Sequence, residues 1–170
     1  MDNTLFWKII ERAKSEADGD PEVIAEGVHE QLTKLPATEI ESFDAILSSK
    51  LTDAYTWKLW GAAYLMNGGC SDDGFEYFRG WLFTQGQKVY EAALADPDSL
   101  AEIADPENDD NECEDILYVA IQAYEEVTGK EMPGSNGVVE SGPSGERWDF
   151  DDPDATRQQL PRLTRKLDIQ

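Results

Sequence analysis

The stretch NGGCSDDGFEYFRGWL, residues 67–82, decides the fold class. Asn67, Gly68 and Gly69 tolerate the left-handed backbone that stops a helix, so they end the segment before them. Ser71 then offers its hydroxyl to the free N–H groups of a new helix start. Asp72 and Asp73 fall in the first turn of that helix, where negative charge meets the positive end of the helix dipole. Phe75, Phe78 and Leu82 recur at spacings of three and four with Trp81 beside them, which is the period of one helix face. Gly74 and Gly80 leave room for close approach of a neighbour. The stretch therefore reads as a corner between two helices.

The flanking sequence repeats the pattern. Before the corner, segment 55–66 carries Tyr55, Trp57, Leu59, Trp60, Tyr64 and Leu65, a density of bulky groups that predicts the most buried helix, continuous with or separate from the one preceding it. Asn3 or Thr4 caps a first helix with Phe6, Ile9, Ile10, Ala13 and Ala17 at helical spacing. Asp20-Pro21 opens a second, since Asp caps and Pro fits the first helical position, where its missing N–H had no partner. Ile24, Val28, Leu32 and Leu35 form its stripe, and Pro36 closes it. Thr38 with Glu41 makes a capping-box pattern for a third, which buries Ile40, Phe43, Ile46, Leu47 and Leu51. After the corner, segment 85–95 turns Val89, Ala92 and Ala93 inward. Asp96-Pro97 and Asp105-Pro106 each signal a helix start, and a last strong helix over 113–127 places Ile116, Ala120, Ala123, Tyr124 and Val127 on one face.

The pattern changes near residue 129. GSNGVVESGPSGE, residues 134–146, is turn-forming and too polar for a core element, so it reads as a mobile connection or surface loop. Trp148 and Phe150 after it look like an anchor, and weak helical character returns over 153–167. The expected organisation is a helical domain over 1–128 and an irregular, partly mobile extension over 129–170 with a basic end.

Charge bounds the function. The 170 residues hold 36 acids against 14 bases, a formal net charge of -22. Such a field repels nucleic acid and anionic membrane and favours basic partners, although a plain solvated acidic surface is the better account of the charge taken alone. No Lys or Arg lies between Lys88 and Lys130, a span that includes Glu107, Asp109 and Asp110. Arg157, Arg162, Arg165 and Lys166 crowd the tail, so the tail is expected to fold back on this acidic span, within the molecule or in a neighbour. The N-terminus lacks the basic leader and cleavage site of a signal peptide, and the longest apolar run is far short of a membrane span. With Cys70 and Cys113 too few for a disulfide framework and matching no zinc pattern, the expectation is a soluble cytoplasmic protein with reduced thiols.

LFWKIIERA near the start, LWGAAYLMNGGCSDDGFEYFRGWL in the middle and YEAALADPDSLA after it together resemble the uncharacterised bacterial family called domain of unknown function 4240. The resemblance runs over about residues 1–127 and leaves the tail outside. It implies a bacterial protein of helical fold and no particular activity.

The corner also holds the residues that could carry chemistry. Asp72, Asp73 and Glu76 share one helix end, and Arg79 follows on the same side. Arg79 could hold these acids in an ion pair, or the four could face a pocket and bind a cationic or phosphorylated ligand. Capping alone, however, selects Ser-Asp-Asp at a helix start. Cys70 sits beside a helix N-terminus, which would lower its pKa, but Asp72 and Asp73 oppose a thiolate, so a small buried residue is the better reading. His29, the single histidine, lies mid-helix elsewhere and leaves no multi-histidine metal site. The acidic loop after Asp105 fails the calcium-loop template, with Asp110 at the sixth position and Ile116 at the twelfth. Trp57, Trp60, Tyr64, Phe75, Phe78 and Trp81 could line a cation-binding or stacking pocket, against which stands ordinary core packing at helical spacing.

The sequence thus predicts an all-α, single-domain helical bundle of about six helices with an irregular C-terminal segment. The leading functional expectation is a non-catalytic acidic protein-interaction module engaging a basic protein, with Glu107, Asp109 and Asp110 on its partner surface and no nucleic-acid or membrane partner. The alternative is an enzyme or small-ligand binder using Asp72, Asp73, Glu76 and Arg79. No catalytic residue, metal or cofactor is assigned.

Overall fold

A computed structural model describes residues 1–134 and 142–169. Among these the chain runs without a strand through α1 (Asn3–Glu16), α2 (Pro21–Leu32), α3 (Ala37–Asp53), α4 (Trp57–Met66), α5 (Asp72–Thr84) and α6 (Gln87–Ala95). Two 3₁₀ turns follow, Pro97–Glu102 and Asp115–Leu117, then α7 (Val119–Thr128), α8 (Pro153–Gln159) and α9 (Pro161–Lys166). The chain is a single all-α domain, and no helix among the described residues is long and apolar enough to cross a membrane. Residues 135–141 of the turn-rich segment lie outside the described residues.

The corner is built as its residues dictate. Asn67 ends α4, Gly68 takes φ 64°, and the Gly69 N–H donates to the Tyr64 carbonyl at 2.8 Å, the six-to-one bond of a glycine-stopped helix. The Ser71 hydroxyl accepts from the Gly74 N–H at 3.1 Å and starts α5. The Trp60 indole N–H reaches back to the Cys70 carbonyl at 3.1 Å, so the turn is tied to the helix it follows.

Several local expectations are corrected. Asp2, not Asn3 or Thr4, caps α1 through the Leu5 N–H. Pro36 occupies the N-cap of α3 without a side-chain bond, because the helix already begins at Ala37 and leaves Thr38 inside the first turn. α3 and α4 are separate helices, with the Thr56 hydroxyl capping the second. The most buried helix is α5, which is solvent-excluded from Phe78 through Thr84, whereas α4 leaves Trp57, Tyr64 and Leu65 partly open. Gly86, at φ 89°, breaks α5 from α6, and the resulting rotation buries Tyr90 and Ala93 and exposes Ala92. Asp105-Pro106 starts no helix: the Asp105 carboxylate accepts the Glu107 N–H at 3.0 Å in a side-chain turn. The helix expected over 113–127 is a 3₁₀ turn followed by α7, with Val127 exposed near its end.

The core joins Phe6, Trp7 and Ile10 of α1, Ile24 and Val28 of α2, Phe43 and Leu47 of α3, and Phe75, Phe78, Leu82 and Phe83 of α5. Fully burying one such ring or branched side chain stabilises by about 1.5–3 kcal/mol. Leu160 and Leu163 belong to the same core at 0% exposure, so the chain around α9 packs on the preceding helices. Asp98, 4% exposed in the first 3₁₀ turn, accepts the Arg162 N–H at 2.9 Å and the Leu163 N–H at 2.8 Å, and so caps α9 across the molecule. Arg162 also pairs with Glu102 at 2.9 Å. The basic tail therefore meets the acidic span within the molecule through Arg162, while Arg157 pairs locally with Asp154 and Arg165 and Lys166 stay exposed.

Candidate functional site

α5 sends its acids and its arginine in different directions. Asp72, Asp73 and Glu76 are exposed, whereas Arg79 is 3% exposed and points into the domain. Its Nη1 donates to the Leu51 carbonyl at 2.9 Å, in the last turn of α3, where carbonyls lack helical partners and a cation meets the negative end of the dipole. The guanidinium lies 4.4 Å from the centroid of the Tyr55 ring and 5.1 Å from that of Phe75. Arg79 thus fastens α5 to the end of α3. Asp73 and Glu76 lie toward Tyr118, whose phenol is raised above its usual pKa by burial and then by Glu76, Glu114 and Asp73.

Asp72 faces another way, into an open cleft of about 700 Å³. Trp57, Trp60 and Tyr64 of α4 form one wall, Cys70 and Asp72 one end, and Arg147, Trp148, Asp149, Phe150 and Asp151 the opposite wall. That wall is a strap, residues 142–152, held against the start of α4. The Trp57 N–H donates to the Ser144 carbonyl and the Ser144 N–H to the Tyr55 carbonyl, both at 2.9 Å. The Tyr64 hydroxyl donates to Asp151 Oδ1 at 2.7 Å, and the Trp148 indole N–H to the Thr156 hydroxyl at 3.2 Å. Trp148 seats on α4 at Gly61, where any larger residue would meet it: a Cβ there would lie 2.4 Å from its Cζ2.

The cleft wall continues as a run of stacked rings into the core. Trp57 and Trp60 stack at 5.2 Å and 11°, and Trp60 stacks on Phe75 at 4.9 Å and 16°. Phase by phase the run ends at Arg79 inside, and outside the guanidinium of exposed Arg147 lies 4.8 Å from the Trp57 ring centroid. Flat rings with negative faces suit planar cations, and the chain places one at each end of the run.

Electrostatics at the cleft is one-sided. Asp72, Asp149 and Asp151 face it together with Arg147 alone among cationic lining residues, and no ion pair within the described residues joins Arg147 to any of the three. The acidic loop adjoins the Cys70 end. The Asn111 N–H and side-chain amide both donate to Asn67 Oδ1, at 3.2 and 2.9 Å, which pins residues 105–112 beside the corner. Glu107, Asp109 and Asp110 are exposed on that loop. Glu112 is raised from the usual carboxyl range by burial and then by Asp110.

Cys70 is therefore a poor nucleophile at neutral pH. Burial, then Glu112 and Asp72, push its thiol up to about 12, and these outweigh the helix end nearby. Thiolate at pH 8 falls on the order of a thousandfold relative to a free cysteine, partly offset by the greater nucleophilicity of a basic thiolate. Alkylation of Cys70 by iodoacetamide in the folded Cys113→Ser protein is expected about a hundredfold slower than that of free cysteine, rising with pH toward 12. A rate at neutral pH matching free cysteine would overturn this. His29 stands apart from Cys70, with Nε2 3.4 Å from Glu126 Oε2.

Of the four residues singled out in the corner, Asp72 lines the cleft and Asp73, Glu76 and Arg79 do not. Trp57, Trp60 and Tyr64 line it, while Phe75 and Phe78 are core. The sequence reading missed Arg147, Asp149 and Asp151. Their one local signal is the alternation of aromatic and acidic residues in RWDFD, residues 147–151, which in extended chain sets two side-chain types at regular intervals.

The chain belongs to the family of proteins of unknown function DUF4240, whose model matches residues 1–126. No curated protein and no solved structure matches it. The strap lies outside the matched residues, so the cleft combines a wall from the family region with one from beyond it.

Proposed function

We propose that this protein is a non-catalytic interaction module whose acidic surface engages a basic protein partner. The observation that carries the reading is the continuity of the negative face: the exposed acids at 107, 109 and 110, then Glu112, then Asp72, lead to a cleft whose far wall presents Asp149 and Asp151. A net charge of -22 adds long-range attraction for a basic chain and repulsion of nucleic acid and anionic lipid. The raised Cys70 thiol and the separation of Arg79 from the acids of its helix favour binding over bond-breaking chemistry at the corner.

A labelled oligo-arginine peptide is the defined probe. Fluorescence anisotropy is expected to report binding that weakens steeply between low and physiological salt, while an oligo-glutamate peptide does not bind. Joint replacement of Glu107 by Gln and of Asp109 and Asp110 by Asn is expected to weaken binding about tenfold, since each exposed charge contact contributes a few tenths to about 1 kcal/mol. Absence of binding at low salt, or binding indifferent to salt, would sink the reading.

A further inference from the structure

We infer that the cleft seats an arginine side chain of the basic partner, its guanidinium taking the position on Trp57 that Arg147 holds in the free protein. The inference rests on the proposed engagement of a basic partner and adds where and by what group that partner is held.

Three features of the cleft select this occupant. Its wall is flat: Trp57 and Trp60, which both line it, stack at 11°, and the core ring of Phe75 backs Trp60 at 16°, a surface that suits a planar cation better than a tetrahedral ammonium. A guanidinium already lies over the outer ring, 4.8 Å from the Trp57 centroid, and it belongs to an exposed residue on a segment joined to α4 by few bonds. Charge is left over: three carboxylates, Asp72, Asp149 and Asp151, face one guanidinium, a surplus of two negative charges. A second arginine, supplied by a partner, meets both the ring and the carboxylates. A volume of about 700 Å³ holds such a side chain with part of the backbone that presents it.

The position of Arg147 gives the inference its sharpest consequence. An internal guanidinium on the ring competes with an incoming one, so the apparent affinity is reduced by the fraction of time the seat is occupied. Removing an arginine from an otherwise acidic site would ordinarily change affinity for a basic peptide only through its charge; here it also vacates the seat.

Titration of a short peptide with one central arginine, followed by tryptophan fluorescence, tests this against its lysine counterpart. The arginine peptide is expected to bind several-fold more tightly than the lysine peptide. Arg147→Gln is expected to tighten arginine binding about three- to tenfold and to narrow the preference little. Asp149→Asn with Asp151→Asn keeps acceptors for the Asp151 N–H and the Tyr64 hydroxyl, so the strap stays in place, and arginine binding is expected to weaken about tenfold. As a charge control, Arg157→Gln removes the same charge from α8 outside the cleft; tightening equal to that of Arg147→Gln would overturn the inference. So would equal affinity for the two peptides, or indifference to the Asp149 and Asp151 replacements. If oligo-arginine binding persists, insensitive to the cleft variants but lost with Glu107, Asp109 and Asp110, the seat falls and the acidic-surface reading stands. If oligo-arginine does not bind at all, both fall.

Discussion

Gly80→Ala is expected to destabilise the protein by about 3 kcal/mol or more, although alanine is the better helix former by about 1 kcal/mol. Gly80 lies inside α5, where that helix passes closest to the chain leading into the second 3₁₀ turn. A Cβ there would stand 2.2 Å from the Cys113 carbonyl oxygen, 3.0 Å from Ile116 Cγ2 and 3.3 Å from Leu117 Cδ2. The first of these is backbone and cannot rotate away. It is also tethered, because the Cys113 N–H donates to the Tyr77 carbonyl at 3.0 Å and holds that chain against α5. Relief requires the 3₁₀ turn to move, and Ile116 and Val119, packed in the core, would move with it. For a chain of this size the loss corresponds to a fall in melting temperature of roughly 10 °C. Gly74→Ala in the same helix is the comparison: its Cβ would meet the end of the Glu112 side chain at 3.1 Å, which can swing aside. Thermal melts followed by far-UV circular dichroism should separate the two variants widely. Equal melting temperatures would mean that close backbone approach at Gly80 does not limit the packing.

Arg79→Ala is expected to cost about 3 kcal/mol, from loss of a charged hydrogen bond worth roughly 1.5–3 kcal/mol and of desolvated ring contacts worth about 1–2 kcal/mol. The Leu51 carbonyl would lose its 2.9 Å donor, and the Tyr55 and Phe75 rings their guanidinium neighbour. Arg79→Lys should recover only part of the loss, because an ammonium can reach the carbonyl but does not lie flat on two rings. Asp73→Asn and Glu76→Gln, at exposed positions on the same helix, should remain within about 0.5 kcal/mol of the parent. Urea denaturation of the four variants measures this directly. The structural role of Arg79 would be refuted if its alanine variant were as stable as the parent, or if the acid replacements cost as much.

These two residues mark how far local pattern reaches. Gly80 could be read as a site of close approach because a small residue interrupts an otherwise bulky face, but the atom that approaches, a carbonyl from Cys113, is set by packing. Arg79 falls three residues after Glu76, a spacing that places the two side by side on an ideal helix. The long arginine stem nevertheless turns inward, where the Leu51 carbonyl at the end of α3 and two aromatic faces are among the groups that receive it. The capping errors have a similar origin. Thr38 and Glu41 fit the capping template, yet Pro36 already has the extended backbone of an N-cap, at φ -60° and ψ 147°, and the helix starts two residues earlier than the template requires.

What the sequence determined by itself is the all-α class, the stop at Asn67, Gly68 and Gly69, the new start at Ser71, the inward stripes of α1 and α5 and the acidic field. All of these depend on bonds and spacings within a few residues, where backbone geometry converts sequence directly into structure. The tertiary structure decided which charges meet and which face open space. Tyr64 bonds to Asp151 across 87 residues, Asp98 caps a helix 64 residues later, and Trp148 finds Gly61 on another element. No periodicity encodes such pairs, because each is chosen by the shapes and unsatisfied groups that helices present once packed. The cleft between α4 and the strap exists only at that level.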